Sequence, residues 1–172
     1  MTQSEKNYKK VITQDYFEIM LSRGIKDFSG LDLRELNAMG LEFRETYCLE
    51  TNLNGTDFRQ SQFSSCTFEN CFIHDTIFRR CHLDYGRFSE TSLLRSQFQN
   101  ASINQAVFKN CALNGSVFDH ASFSDVLFFN CDLEGSDFSS VKYLWEIKKK
   151  AIFRNCNLEG ANFGDNQGFV IE

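Results

Sequence analysis

The chain contains no proline, one tryptophan, three histidines and three methionines in 172 residues. Without proline every residue keeps a backbone N–H donor, which favours structures that pair along their whole length. No run of 18 apolar residues occurs, so no transmembrane helix is expected. The opening, MTQSEKNYKKVITQDYFEIM, lacks an unbroken apolar stretch and a small-residue cleavage site. A secretory signal is therefore not expected, and the expected location is cytoplasmic. Basic charge is not in excess either: the net charge of −5 disfavours direct binding to nucleic acid. Neither a glycine-rich phosphate loop nor a nucleophile elbow is found, and the expectation is a non-enzymatic protein without a cofactor.

Phenylalanine, by contrast, is abundant. There are 19, with seven cysteines beside them. Every fifth residue from Phe28 to Phe138 forms a series of 23 positions, and 21 of these are Phe, Leu or Ile. Fifteen of the 19 Phe fall on this series or on its resumption at Phe153, Leu158 and Phe163. Two residues before each centre runs a second series. From Thr46 to Ser136 its 19 members are all Thr, Ser, Cys, Ala, Gly or Val.

A period of five fits neither a helix nor a strand. It fits a chain that turns a corner every five residues, with four sides to a coil. The longer echo agrees, since FKNCALNGSVF at 108–118 returns 20 residues later as FFNCDLEGSDF. Large centres and small second-series residues would both point inward. One coil cannot bury that face alone, so coils must stack. Sorted by side, Leu33, Leu53, Ile73, Leu93, Leu113 and Leu133 form one column, and Phe58, Phe78, Phe98, Phe118 and Phe138 the next.

In these alternating small, variable and central residues, as in CDLEG, SDFSS, CNLEG and ANFGD, the chain resembles the pentapeptide-repeat proteins. That resemblance implies an all-β solenoid, a right-handed quadrilateral β-helix, over about residues 26–165. The spacing leads to six to seven coils. Residues 1–25 fall outside the period and read as a capping region. Thr13 suits a helix N-cap, Asp15 and Glu18 its first turns, and Gly24 its C-terminal stop. Phe17, Met20 and Leu21 give the helix one apolar stripe, and the large Leu31, Leu36 and Leu41 mark a transitional first coil. A third copy of the quoted phrase, FRNCNLEGANF at 153–163, follows after 25 residues rather than 20. Five inserted residues are thus placed near 141–150, as a loop or helical turn with Trp145 and three Lys. Residues 166–172 read as a tail.

The chemistry of single residues yields little. Cys66, Cys71, Cys81, Cys111, Cys131 and Cys156 occupy the small inward position and Cys48 a centre, whereas His74 and His82 point outward. Buried reduced thiols are expected, not a metal site. Asp119, His120 and Ser116 do not make a triad, because Ser116 belongs to the inward series.

Function is left to the outer surface. Asp119, Asp125, Asp132, Glu134 and Asp137 lie in a stretch without Lys or Arg, and Glu159 should stack on Glu134. Val107, Leu127 and Ile152 each precede a Phe centre on the same side, with Phe129 beside them. Together with Trp145 they form a candidate interface, either covered by the 141–150 loop or joining two copies as a homodimer. The expected role is a protein-interaction scaffold with a mildly acidic rod and an unknown protein partner. The resemblance implies two alternatives. One is a mimic of duplex DNA that modulates DNA gyrase or topoisomerase IV. The other is a bacterial effector or targeting module.

Overall fold

The computed structural model describes residues 10–143, 150–165 and 168–172. Its core is a square coil that advances one turn every 20 residues. On the first side, short parallel strands assemble a seven-stranded sheet: β3 (Tyr47–Leu49), β4 (Thr67–Glu69), β5 (Arg87–Ser89), β6 (Val107–Lys109), β8 (Leu127–Phe129), β10 (Ala151–Arg154) and β11 (Phe169–Ile171). Parallel bridges between residues 20 apart hold the other three sides, such as Asn52 to Phe72 and Ile77 to Gln97. On the fourth side β7 (Ser122–Phe123) pairs with β9 (Lys142–Tyr143).

The corners explain the period. Eighteen non-glycine residues adopt φ between 50° and 64°, each two residues beyond a centre. Gly40, Gly55, Gly115, Gly135 and Gly160 hold equivalent corners without a Cβ penalty. Each left-handed residue turns the chain, so the next five residues begin a new side.

Inside, the centres stack by type. Phe98 lies parallel to Phe118 with ring centroids 4.7 Å apart, and Phe88 to Phe108 at 4.6 Å. Around a turn the rings meet edge-on, as Phe118 does Phe128 at 6.0 Å and 83°. Both arrangements are favourable ring geometries, and the spacing along the stack is that of hydrogen-bonded strands. Most of the centres are buried at 0–4% exposure.

The N-terminal end is closed. Helix α1 (Gln14–Ser22) starts at Thr13, whose hydroxyl accepts from Tyr16 N–H. It stops at Gly24, with Ile25 N–H donating to Met20 O and Gly24 N–H to Leu21 O. Phe17 is laid over Phe28 and Phe43, at centroid distances of 6.0 and 5.9 Å. Leu36 is buried beside them, with Leu31 and Leu41 partly so. The first turn's free backbone edge is also covered. β1 (Lys10–Val11) pairs with β2 (Leu31–Asp32), and the Gln14 carboxamide both donates to Asn37 O (2.8 Å) and accepts from Asn37 N–H (3.0 Å).

At the far end, Phe169–Ile171, within the segment that reads as a tail, pairs in register with Ala151, Ile152 and Phe153. That added level brings the stack to about eight turns, more than the six to seven read from the spacing. The insertion is absorbed between β9 and β10: Phe153 lies directly over Phe128 despite being 25 residues on. Of the loop or helical turn expected near 141–150, residues 144–149, including Trp145, lie outside the described residues. No described helix is long and apolar enough to cross a membrane.

Candidate interaction surface

Packing consumes the residues that might have carried chemistry. The small inward residues do more than leave room for the rings. Their hydroxyls and thiols donate to the carbonyl of a centre on the previous coil: Thr56 to Leu33 O (2.8 Å), Ser61 to Ala38 O (2.7 Å), Ser96 to Ile73 O (2.6 Å), Ser116 to Leu93 O (2.8 Å). Cys66 and Cys81 do the same to Phe43 O and Phe58 O, both at 2.7 Å. The period marks these positions as small but not as donors; their mixture of Ser, Thr and Cys is the one signal of that role in the sequence.

All seven cysteines are free, six of them buried and Cys156 half-buried. Burial holds the Cys48 thiol well above the usual thiol range and pushes that of Cys81 up to about 12. Among the described residues no group of His, Cys, Asp and Glu is arranged to hold a metal ion. Ser116 is fully buried, apart from the exposed His120, which faces Asp119 at 3.8 Å.

The outward face of the first side is different. Register places Val107, Leu127 and Ile152 directly above one another, and Val170 on the next level continues the column. All four are half-exposed. Phe129, also half-exposed, stands in the adjacent column between Lys109 and Arg154. Arg154 forms an ion pair with Glu172. Below Val107 the column turns polar with Arg87 and Thr67. Val170 was not recognised from sequence, because residues 166–172 carry no repeat. Trp145, named with the strip from sequence, lies outside the described residues.

The acidic residues lie on the second and third sides, apart from Asp125 at the corner after the fourth. Asp132 accepts from the Asn157 carboxamide at 3.0 Å, and Asp137 from Ser139 N–H at 2.9 Å. Gly135 N–H donates to Glu159 O, which sets Glu159 one coil above Glu134. Asp132, Glu134, Asp137 and Glu159 form no ion pair among the described residues. Asp125 is a corner residue at φ 61°, and Asp119 faces His120 on the third side.

A family described as pentapeptide repeat region matches residues 86–163, and a second, pentapeptide repeats (8 copies), matches 42–80. The chain belongs to the pentapeptide-repeat family. This pentapeptide-repeat protein is similar in structure to a family member from the Arabidopsis thaliana thylakoid lumen. The two are 18% identical, with 60% of this chain and 71% of that chain covered and a TM-score of 0.39. It is also similar to HetL, involved in heterocyst differentiation regulation in the cyanobacterium Nostoc, at 13% identity, 90% and 94% coverage and a TM-score of 0.33. A third is trypsin-treated QnrB1, a plasmid-mediated fluoroquinolone resistance protein, at 20% identity, 85% and 91% coverage and a TM-score of 0.36. No curated protein matches the chain.

Proposed function

We propose that this pentapeptide-repeat protein is a non-enzymatic, cytoplasmic scaffold whose first side docks another protein, in the simplest case a second copy of itself. One observation carries the reading. Val107, Leu127, Ile152 and Val170 form a half-exposed apolar column on the outward face of the first side, with Phe129 at its flank and Arg87 and Thr67 below it. An aliphatic column with an aromatic neighbour and charged residues at the margin has the composition of an interface core and rim. The sheet is continuous and fixed by its ladder, so the face is offered without a cost of ordering.

Analytical ultracentrifugation tests it. Wild type is expected to sediment as a dimer at micromolar concentration, and the Leu127→Ser, Phe129→Ser double variant as a folded monomer. If both are folded monomers, the strip does not join two copies.

A second reading, modulation of a type II topoisomerase through mimicry of duplex DNA, draws on a separate observation: Asp132, Glu134, Asp137 and Glu159 are gathered on adjacent coils without cationic partners among the described residues. A supercoiling assay with DNA gyrase, in the presence and absence of the protein, decides it. Unchanged supercoiling, with and without a quinolone, removes this reading and leaves the scaffold untouched.

A further inference from the structure

The third side carries a feature of opposite charge. Arg59 and Arg79 each follow a Phe centre on successive coils, and Gln99 takes the same place on the coil above. The corner residues next to them are Gln60, Arg80 and Asn100. Backbone bonds fix the two columns one coil apart, Gln60 N–H to Arg79 O and Arg80 N–H to Gln99 O, both at 3.0 Å. The six side chains line a surface groove of about 300 Å³. Each ends in a planar group bearing N–H donors.

Elsewhere on the coil arginine is commonly neutralised, and of the three arginines that line the groove only Arg59 is. Arg34, Arg44, Arg59, Arg95 and Arg154 each face a carboxylate. Arg59, within the groove, gives its fork to Asp57, with Nε and Nη2 at 2.9 and 2.6 Å from the two oxygens. Arg79 instead donates from Nε to the Gln99 carboxamide oxygen at 3.2 Å. The Arg80 side chain makes no hydrogen bond or ion pair among the described residues. The nearest other carboxylate in register, Asp119, lies on the coil beyond Gln99 and faces His120. Arg79 and Arg80 therefore line one groove without a carboxylate partner among the described residues, on a chain whose net charge is −5.

Arg80 in particular is not required by the backbone there. Arg80 sits at a left-handed corner, φ 59°, that Gly40 fills equally well two coils below at φ 71°. Its side chain is exposed.

We propose that this groove binds a phosphate dianion, free or as a monoester. Two unneutralised guanidinium groups match two negative charges, and guanidinium forks fit phosphate oxygens in a bidentate manner. A single carboxylate would leave one guanidinium unmatched. Gln60 and Asn100, on either side of Arg80, supply further N–H donors for the remaining oxygens. Duplex nucleic acid fits poorly, because it needs a track of cations and would be repelled by the acidic remainder of the chain. The groove lies on a different side from the apolar strip, so the two readings stand or fall separately.

A ¹H–¹⁵N NMR titration at constant ionic strength tests the proposal, with inorganic phosphate, O-phosphoserine and benzoate as probes. Saturable shifts are expected at the Arg79 and Arg80 Nε–H groups with the two phosphates. The Arg79→Gln, Arg80→Gln variant should bind about tenfold more weakly or worse, as loss of charge-assisted bonds implies. The exposed control Arg44→Gln should bind as wild type does. Tighter binding of O-phosphoserine assigns a monoester, and tighter binding of inorganic phosphate the free ion. The absence of saturable shifts with both phosphates overturns the proposal. So does benzoate binding as tightly, or undiminished binding by the double variant.

Discussion

The two ends of the coil are finished in different ways. At the N-terminal end Phe17 lies over Phe28 and Phe43 and all three rings are buried to within 3% exposure. Gln14, β1 and Lys26, whose ammonium donates to Arg44 O at 2.8 Å, occupy the open backbone edge. At the C-terminal end Phe169 packs against Phe153 and Phe163 at 5.5 and 4.8 Å, yet Leu158, Phe163 and Phe169 remain only partly buried. A stacked residue reaches full burial only with a level on each side. The same residue type should therefore stabilise the fold more in the middle and at the closed end than at the C-terminal end.

Substitution of centres gives the largest expected effect. Phe98→Ala, between Phe78 and Phe118, should cost about 3–5 kcal/mol, because rings above and below cannot collapse into the space. Phe163→Ala should cost about 1–2 kcal/mol, since part of that ring already faces solvent. Denaturant midpoints at constant slope measure both. Equal losses would show that the C-terminal end is as well covered as the middle.

An intermediate effect is expected from the backbone cap. Gln14→Ala removes one donor and one acceptor from Asn37 without touching the ring stack. The cost should be about 1–2 kcal/mol, the net worth of two hydrogen bonds. Hydrogen exchange gives the sharper readout: the Asn37 amide should exchange faster, while the Phe98 amide in the middle should keep its protection. Unchanged exchange at Asn37 would mean that the carboxamide does not close the edge.

What could be read in advance follows from where the sequence repeats. The five-residue period is imposed by the corners, and each turn solves the same packing problem, so Phe58, Phe78 and Phe98 announce one another. Thr13 and Gly24 were legible because helix caps have local chemistry. Gln14 was not, since its partner is 23 residues away and belongs to no repeat. Nor was Val170, which joins the apolar column only because β11 pairs once more after the repeats end. The column Val107, Leu127 and Ile152 could be placed from the period, once five inserted residues were subtracted. The groove at Arg79 and Arg80 could not, because it depends on which arginines meet a carboxylate. The donor role of Thr56 and Cys66 was hidden for another reason. It is directed at a carbonyl on the previous coil, and a backbone acceptor leaves no mark in the sequence.

The smallest expected effect concerns one thiol in seven. Cys111, Cys131 and Cys156 lie in the same inward column on successive coils, but only Cys156, on the last full coil, is partly open to solvent. Its Sγ donates to Phe128 O and Arg154 O, at 3.5 and 3.4 Å. The bond with Cys131, and then burial, hold its thiol above the usual range. A raised pKa lowers the thiolate fraction at any pH below it, and the thiolate is the nucleophile. With DTNB at pH 8 the native protein should therefore label slowly at Cys156 alone, and faster as the pH rises. The remaining six should react only after denaturant is added. Protection of all seven would mean that the C-terminal end is closed as tightly as the N-terminal end. Rapid labelling of Cys131 as well would place the opening one coil deeper than Phe163.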